Sequence, residues 1–122
     1  MMQQKKGFTI IELLLVVIII GILAAIAIPR FVDSKDKAYV AQMKSDLRNL
    51  ATYQEQYAAD NGGRYFSGTA TMSAPLNGFH ASQNVTVTVA SALGPPPSWS
   101  AVAVHALSAK NCSMTNGLIT CS

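Results

Sequence analysis

The segment from Phe8 to Ile28 constrains this chain most: 21 residues, almost all apolar, with one charge, Glu12, four residues past its start. At a helical rise of about 1.5 Å per residue it reaches roughly 31 Å, about the thickness of a bilayer's hydrocarbon core. One helix of this length can span a membrane. An acidic side chain at the centre of such a helix costs roughly 2.5 to 3.5 kcal/mol and somewhat less near an end, so Glu12 calls for a partner. The plain alternative is a carboxylate that reaches water or a cationic headgroup at the boundary.

The order of residues around the run is unusual for secretion. An ordinary signal peptide has a basic stretch, then about 7 to 15 apolar residues, then an A-x-A-like cleavage site. Ala25-Ile26-Ala27 fits such a site, and cleavage after Ala27 would release a soluble exported domain beginning at Ile28. Against that reading stand the length of the run, the interruption at Glu12, and Pro29 two residues past the cut. Lys5, Lys6 and Gly7 instead place two cations and a glycine directly before the run.

The stretch Lys5-Lys6-Gly7-Phe8-Thr9-Ile10-Ile11-Glu12-Leu13, with Gly21 and Pro29 beyond it, resembles the N terminus of type IV pilins of the type IVa kind and of the related type II secretion pseudopilins. The likeness is strong through about residue 60 and general after it. It implies that residues 1–7 are a leader, that prepilin peptidase cuts between Gly7 and Phe8, and that the new Phe8 amine is methylated. Glu12 then matches the acidic residue that meets the N-terminal amine of a neighbouring subunit in assembled filaments. Two charges that are each costly when buried alone become tolerable as a pair. In related filaments the stretch matching Gly21 through Pro29 is partly melted; Gly and Pro weaken helix by about 1 and 3 kcal/mol respectively.

Past the membrane run, Pro29 lacks an N–H and crowds the carbonyl of Ala25, which predicts a kink or loosened turn. Helix then resumes over residues 29–60. Val40, Met43, Leu47, Leu50, Tyr53 and Tyr57 recur at steps of three and four and define a core face, while Lys35, Asp36, Lys37, Lys44, Asp46, Arg48 and Glu55 fill the other positions. Asn61-Gly62-Gly63 ends the element. The two segments together predict one helix from Phe8 to about Asp60, some 80 Å long, apolar on all sides over residues 8–28 and amphipathic afterwards.

Residues 61–82 read as a connecting loop, since Gly62 to His80 shows no clear period. From Gln83 to Ala90 the chain alternates, with Val85, Val87 and Val89 toward the helix and Thr86 and Thr88 outward. Gly94 and Pro95 to Pro97 break this strand, and Trp99 to Leu107 forms a second, antiparallel to it. Asn116-Gly117 is a strong signal for a two-residue type I′ hairpin, in which residues whose numbers sum to 233 face each other. Cys112 and Cys121 satisfy that sum and fall on a non-hydrogen-bonded pair, where side chains come closest. The register therefore predicts a disulfide, with Met114 and Ile119 on the same inward face. The fold class is α+β: a long N-terminal helix whose amphipathic half packs on a small antiparallel sheet, with residues 83–122 supplying the sheet and a disulfide-closed hairpin.

Composition excludes several functions. The formal charge of +3 includes Lys5 and Lys6, so a chain without its leader carries seven basic and six acidic side chains, with no basic stripe marking a nucleic-acid site. From Asn61 onward Arg64 and Lys110 are the only ionised side chains and no Asp or Glu occurs, so a calcium site of carboxylate oxygens cannot be built there. Major pseudopilins typically carry such a site; the Cys-bounded C-terminal loop looks instead like that of type IV pilins. His80 and His105 stand alone, which disfavours zinc, and no nucleophile, base and orienting acid cluster, so no enzyme activity, metal or cofactor is expected. The triplets Asn84-Val85-Thr86 and Asn111-Cys112-Ser113 leave glycosylation open.

The resulting expectation is a pilin that polymerises through its N-terminal helix into a helical homo-oligomeric filament for motility, adhesion or DNA uptake. It would sit in the inner membrane as a single span, in contact with lipid, prepilin peptidase and the assembly machinery, and afterwards in an extracellular pilus. A type II secretion pseudopilin and a soluble domain freed after Ala27 are the alternatives.

Overall fold

The computed structural model describes residues 4–122. Helix α1 spans Ile10–Asp60 and continues through Gly21 and Pro29. It starts two residues later than Phe8 because Thr9 serves as its N-cap. Its end follows from Asn61-Gly62-Gly63: Gly62 and Gly63 take positive φ values of 66° and 80°. The Gly63 N–H donates to the carbonyl of Ala58 at 2.8 Å and the Asn61 amide donates to that of Tyr57 at 2.9 Å, so two terminal carbonyls are satisfied as the chain turns away.

The chain divides into two units, residues 1–35 and 36–122. In the first, none of the residues from Phe8 to Ile28 is buried, and the helix is long and apolar enough to cross a membrane. A helix apolar on every side needs lipid or other protein around it.

In the second unit, residues 36–60 of α1 pack on a five-stranded antiparallel meander in the order β1-β2-β3-β4-β5. Its strands are β1 (Gly68–Ala70), β2 (Val85–Ala92), β3 (Ser98–His105), β4 (Asn111–Thr115) and β5 (Leu118–Cys121). Met43, Leu47 and Leu50 meet Val85, Val87, Val89, Ala101, Ala103 and Met114 in one core that also includes Phe66 and Phe79. Each fully buried Leu or Met contributes about 1.5–3 kcal/mol relative to exposure. The alternation expected around Val85, Val87 and Val89 holds, but the strand begins at Val85 and runs to Ala92. Asn84 takes φ 63°, outside the range of extended strand, which excludes it and Gln83.

Three expectations change. Residues 61–82 contain strand β1, whose Thr69 pairs with Thr88 of β2, and an isolated bridge joining Leu76 to Phe79. Three residues are too few to show a period. Tyr53, placed on the core face by spacing, is 37% exposed and sits edge-on to Phe79 at 5.8 Å. Asp46, placed among the charged positions off the core face, is 3% exposed, and Gln54 is fully buried. Both polar groups are satisfied. Asp46 accepts from the Ser82 N–H at 2.9 Å and the Ser82 hydroxyl at 2.7 Å. Gln54 donates to the Phe66 carbonyl at 2.9 Å and accepts from the Phe66 N–H at 3.0 Å. The two side chains replace sheet partners for the irregular segment, whose buried backbone groups would otherwise be orphaned.

Candidate assembly site at the N-terminal helix

The residues around the helix start form a reciprocal capping box. Thr9 is the N-cap and Glu12 the third helical residue, so Thr9-Ile10-Ile11-Glu12 has the T-x-x-E spacing. Glu12 Oε2 accepts from the Thr9 N–H at 2.9 Å and from its hydroxyl at 3.0 Å, while the Glu12 N–H donates to Thr9 Oγ1 at 3.3 Å. Among the described residues Glu12 Oε1 has no hydrogen-bond partner. The carboxylate is thus fixed in position by one oxygen and keeps the other free to accept, with the helix N-terminal dipole favouring its charge. Thr9 as a partner of Glu12 was legible in the four-residue spacing; attention to the charge alone passes over it.

Gly7 and Phe8 precede the helix and are both exposed, so the peptide bond between them lies in accessible, non-helical chain. A Cβ placed on Gly7 meets nothing within 4 Å, and the same is true of Gly21, so neither glycine is required by close approach within this chain. Gly21 and Pro29 both lie within α1.

At the other end of the chain the hairpin register is as expected: Cys112 faces Cys121, Met114 faces Ile119 and Thr115 faces Leu118. Asn111 and Ser122 exchange both backbone hydrogen bonds at 3.0 Å, which makes the adjacent Cys112 and Cys121 a non-hydrogen-bonded pair, with Cα atoms 4.1 Å apart. The two cysteines form a disulfide, and Cys112 is fully buried against the core. His80 is exposed and His105 is buried, stacked at 4.1 Å on Tyr39 with its Nδ1 accepting from the Leu107 N–H, so the two histidines do not come together.

The sequence profile for the prokaryotic N-terminal methylation motif matches residues 2–28. The type IV wide pilus major component PilA4 of Thermus thermophilus is 37% identical over 91 residues, which cover 75% of this chain and 68% of that protein. The chain belongs to the type IV pilin family. Other relatives match a shorter stretch of the chain. The type II secretion system core protein G of Pseudomonas aeruginosa is 41% identical over 59 residues, 48% of this chain and 42% of its own length. The type IV major pilin protein PilA of Myxococcus xanthus is 44% identical over 57 residues, 47% of this chain and 26% of its own. This pilin-family chain therefore spans under half the length of those two relatives.

Proposed function

We propose that this chain is the structural subunit of a type IV pilus, made as a membrane-anchored precursor and built into a surface filament through its N-terminal helix. The observation that carries the reading is the half-committed carboxylate of Glu12, with Oε2 held by Thr9 and Oε1 without a partner among the described residues. Prepilin peptidase cuts between Gly7 and Phe8, which leaves the Thr9 N–H an amide, so the capping box survives processing. The exposed, non-helical position of that bond suits an extended peptide in a protease cleft.

Cleavage and methylation create a cation at Phe8, and the free oxygen of Glu12 in one subunit accepts the amine of the next. Inside an apolar bundle this pairing is strong because each charge alone costs several kcal/mol. Residues 8–28 serve first as the inner-membrane span and then as the filament's core, the two surroundings that an all-round apolar helix accepts. The head acts as a structural shell, and the chain is not an enzyme.

A pilus role is favoured over a secretion pseudopilus by two observations. The likeness to the wide-pilus component extends over 91 residues, against 59 for the secretion core protein. The region after Asp60 holds a disulfide and no acidic side chain. The first experiment is intact mass and N-terminal sequencing of protein sheared from cell surfaces, before and after reduction. A methylated Phe8 start supports the reading, and a chain beginning at Ile28 refutes it. Glu12→Ala is expected to remain in the membrane and to lose filaments; wild-type filament yield from that variant would remove the pairing.

A further inference from the structure

Three Asn-Gly steps occur in the chain: Asn61-Gly62, Asn77-Gly78 and Asn116-Gly117. Such a step is chemically labile, because glycine has no side chain to keep its backbone nitrogen away from the asparagine amide carbon. The fold treats the three differently. Asn61 is tied at the end of α1, its amide donating to the Tyr57 carbonyl at 2.9 Å. Asn77 and Gly78, with φ 49° and 85°, turn between Leu76 and Phe79, which exchange backbone bonds at 3.0 and 2.9 Å. That turn is pinned to the core, since Phe79 is 1% exposed and a Cβ on Gly78 would lie 3.5 Å from the Tyr53 ring. Asn116 and Gly117 take nearly the same conformation, φ 51° and 79°, at the tip between β4 and β5. There both turn residues and their neighbours Thr115 and Leu118 are exposed, and a Cβ placed on Gly117 meets nothing within 4 Å. Among the described residues neither the Asn116 side chain nor the Gly117 N–H has a hydrogen-bond partner.

We propose that Asn116 is a self-modifying site, which turns into aspartate and isoaspartate as the chain ages. The Gly117 nitrogen gives up its proton and attacks Asn116 Cγ; the Cγ–Nδ2 bond breaks and ammonia leaves, which closes a five-membered succinimide. Water then opens the ring. Cleavage between Cγ and the ring nitrogen gives aspartate. Cleavage between the Asn116 backbone carbonyl carbon and that nitrogen gives isoaspartate, with the main chain rerouted through Cγ. One water is consumed, one ammonia is released, and no oxidant or reductant takes part. The attack needs the turn to open briefly, and an exposed hairpin tip opens more readily than a turn fastened to the core.

The product changes the charge of the head. After Asp60 the chain carries Arg64 and Lys110 and no acid, so a converted Asn116 becomes the only carboxylate side chain beyond α1. Asn116 and Gly117 share one groove with Arg48 and Glu55, whose charges cancel, and the new carboxylate leaves that groove negative. Isoaspartate also lengthens the turn by one backbone atom. The disulfide joins Cys112 and Cys121, four residues before Asn116 and four after Gly117, and keeps the strands in register through the change. The conversion thus marks the age of a chain without unfolding its head, and it does so whichever assembly the chain enters.

The test ages the full chain in detergent at mildly alkaline pH and digests it with trypsin after reduction. Cleavage after Arg48, Arg64 and Lys110 puts the three steps in separate peptides, residues 49–64, 65–110 and 111–122. Each conversion adds one mass unit, which fragmentation assigns to a residue. Asn116 should convert roughly two- to tenfold faster than Asn61, the factor expected when one hydrogen bond must break before reaction, with Asn77 between them. In guanidinium chloride the three rates should converge. Asn116→Gln, whose extra methylene disfavours closure of the ring, should remove the shift at that position. No conversion at Asn116, equal rates at the three sites in the folded chain, or a lowered melting point in the aged chain with its disulfide intact overturns the proposal. A ranking that persists unchanged in guanidinium chloride overturns it as well, by placing the cause in local sequence and not in the fold.

Discussion

Replacing Gln54 with Met tests how the segment after α1 is held. The side chain is fully buried and makes two bonds to one residue, accepting from the Phe66 N–H and donating to the Phe66 carbonyl. Met has similar volume and leaves little cavity, so the substitution isolates the hydrogen bonds. Phe66 is itself buried, and both of its backbone groups lose these partners. Each orphaned buried group costs about 1–3 kcal/mol, while the more apolar Met returns part of that, for a net loss of roughly 2–3 kcal/mol. The head unit, residues 36–122, has 87 residues, for which about 1 kcal/mol moves Tm by 4–8 °C. The expected fall is therefore about 10–20 °C. Thermal unfolding of the full chain in detergent, followed through near-ultraviolet dichroism, reads it directly, since Phe66 packs edge-on to Tyr57 at 5.3 Å. A drop under about 4 °C would mean that water replaces Gln54 at no cost and that the Phe66 backbone groups are not orphaned by its loss.

Other perturbations give distinct outcomes. Asp46→Ala removes two charge-assisted bonds to Ser82 and is expected to cost about 2–4 kcal/mol by the same melting assay, with Ser82→Ala showing the smaller part of that loss. Cys112→Ser, or reduction of the wild type, opens a loop of sequence separation nine and should lower stability by about 2.7 kcal/mol. Membrane insertion should survive that change while the heat resistance of filaments falls; unchanged resistance would refute it. Gly68→Ala forces a residue with φ 144° to carry a Cβ 2.9 Å from a methyl of Leu76, so it should loosen β1 and cost about 1–3 kcal/mol, visible as faster amide exchange at Ala70. Lys110→Ala, by contrast, should move Tm by less than about 4 °C, because the Lys110 side chain is 56% exposed and its 3.7 Å pairing with Asp36 is largely screened.

What the sequence determined by itself lies where the deciding interactions join residues close along the chain. The apolar length of Phe8 to Ile28, the stop at Asn61-Gly62-Gly63, the period-two alternation of Val85, Val87 and Val89, and the Cys112 to Cys121 pairing all follow from local geometry. The last needed only a turn type and a count outward from it. The Thr9 to Glu12 capping box belongs with these, as a local signal that the charge of Glu12 overshadowed. Only the tertiary structure decided which polar residues of α1 are core. Asp46 is buried because Ser82, 36 positions away, supplies its donors, and Gln54 because the chain turns back to present Phe66 twelve positions later. A helical period records which positions share a face, but whether a polar side chain there is tolerable depends on partners that arrive from distant segments.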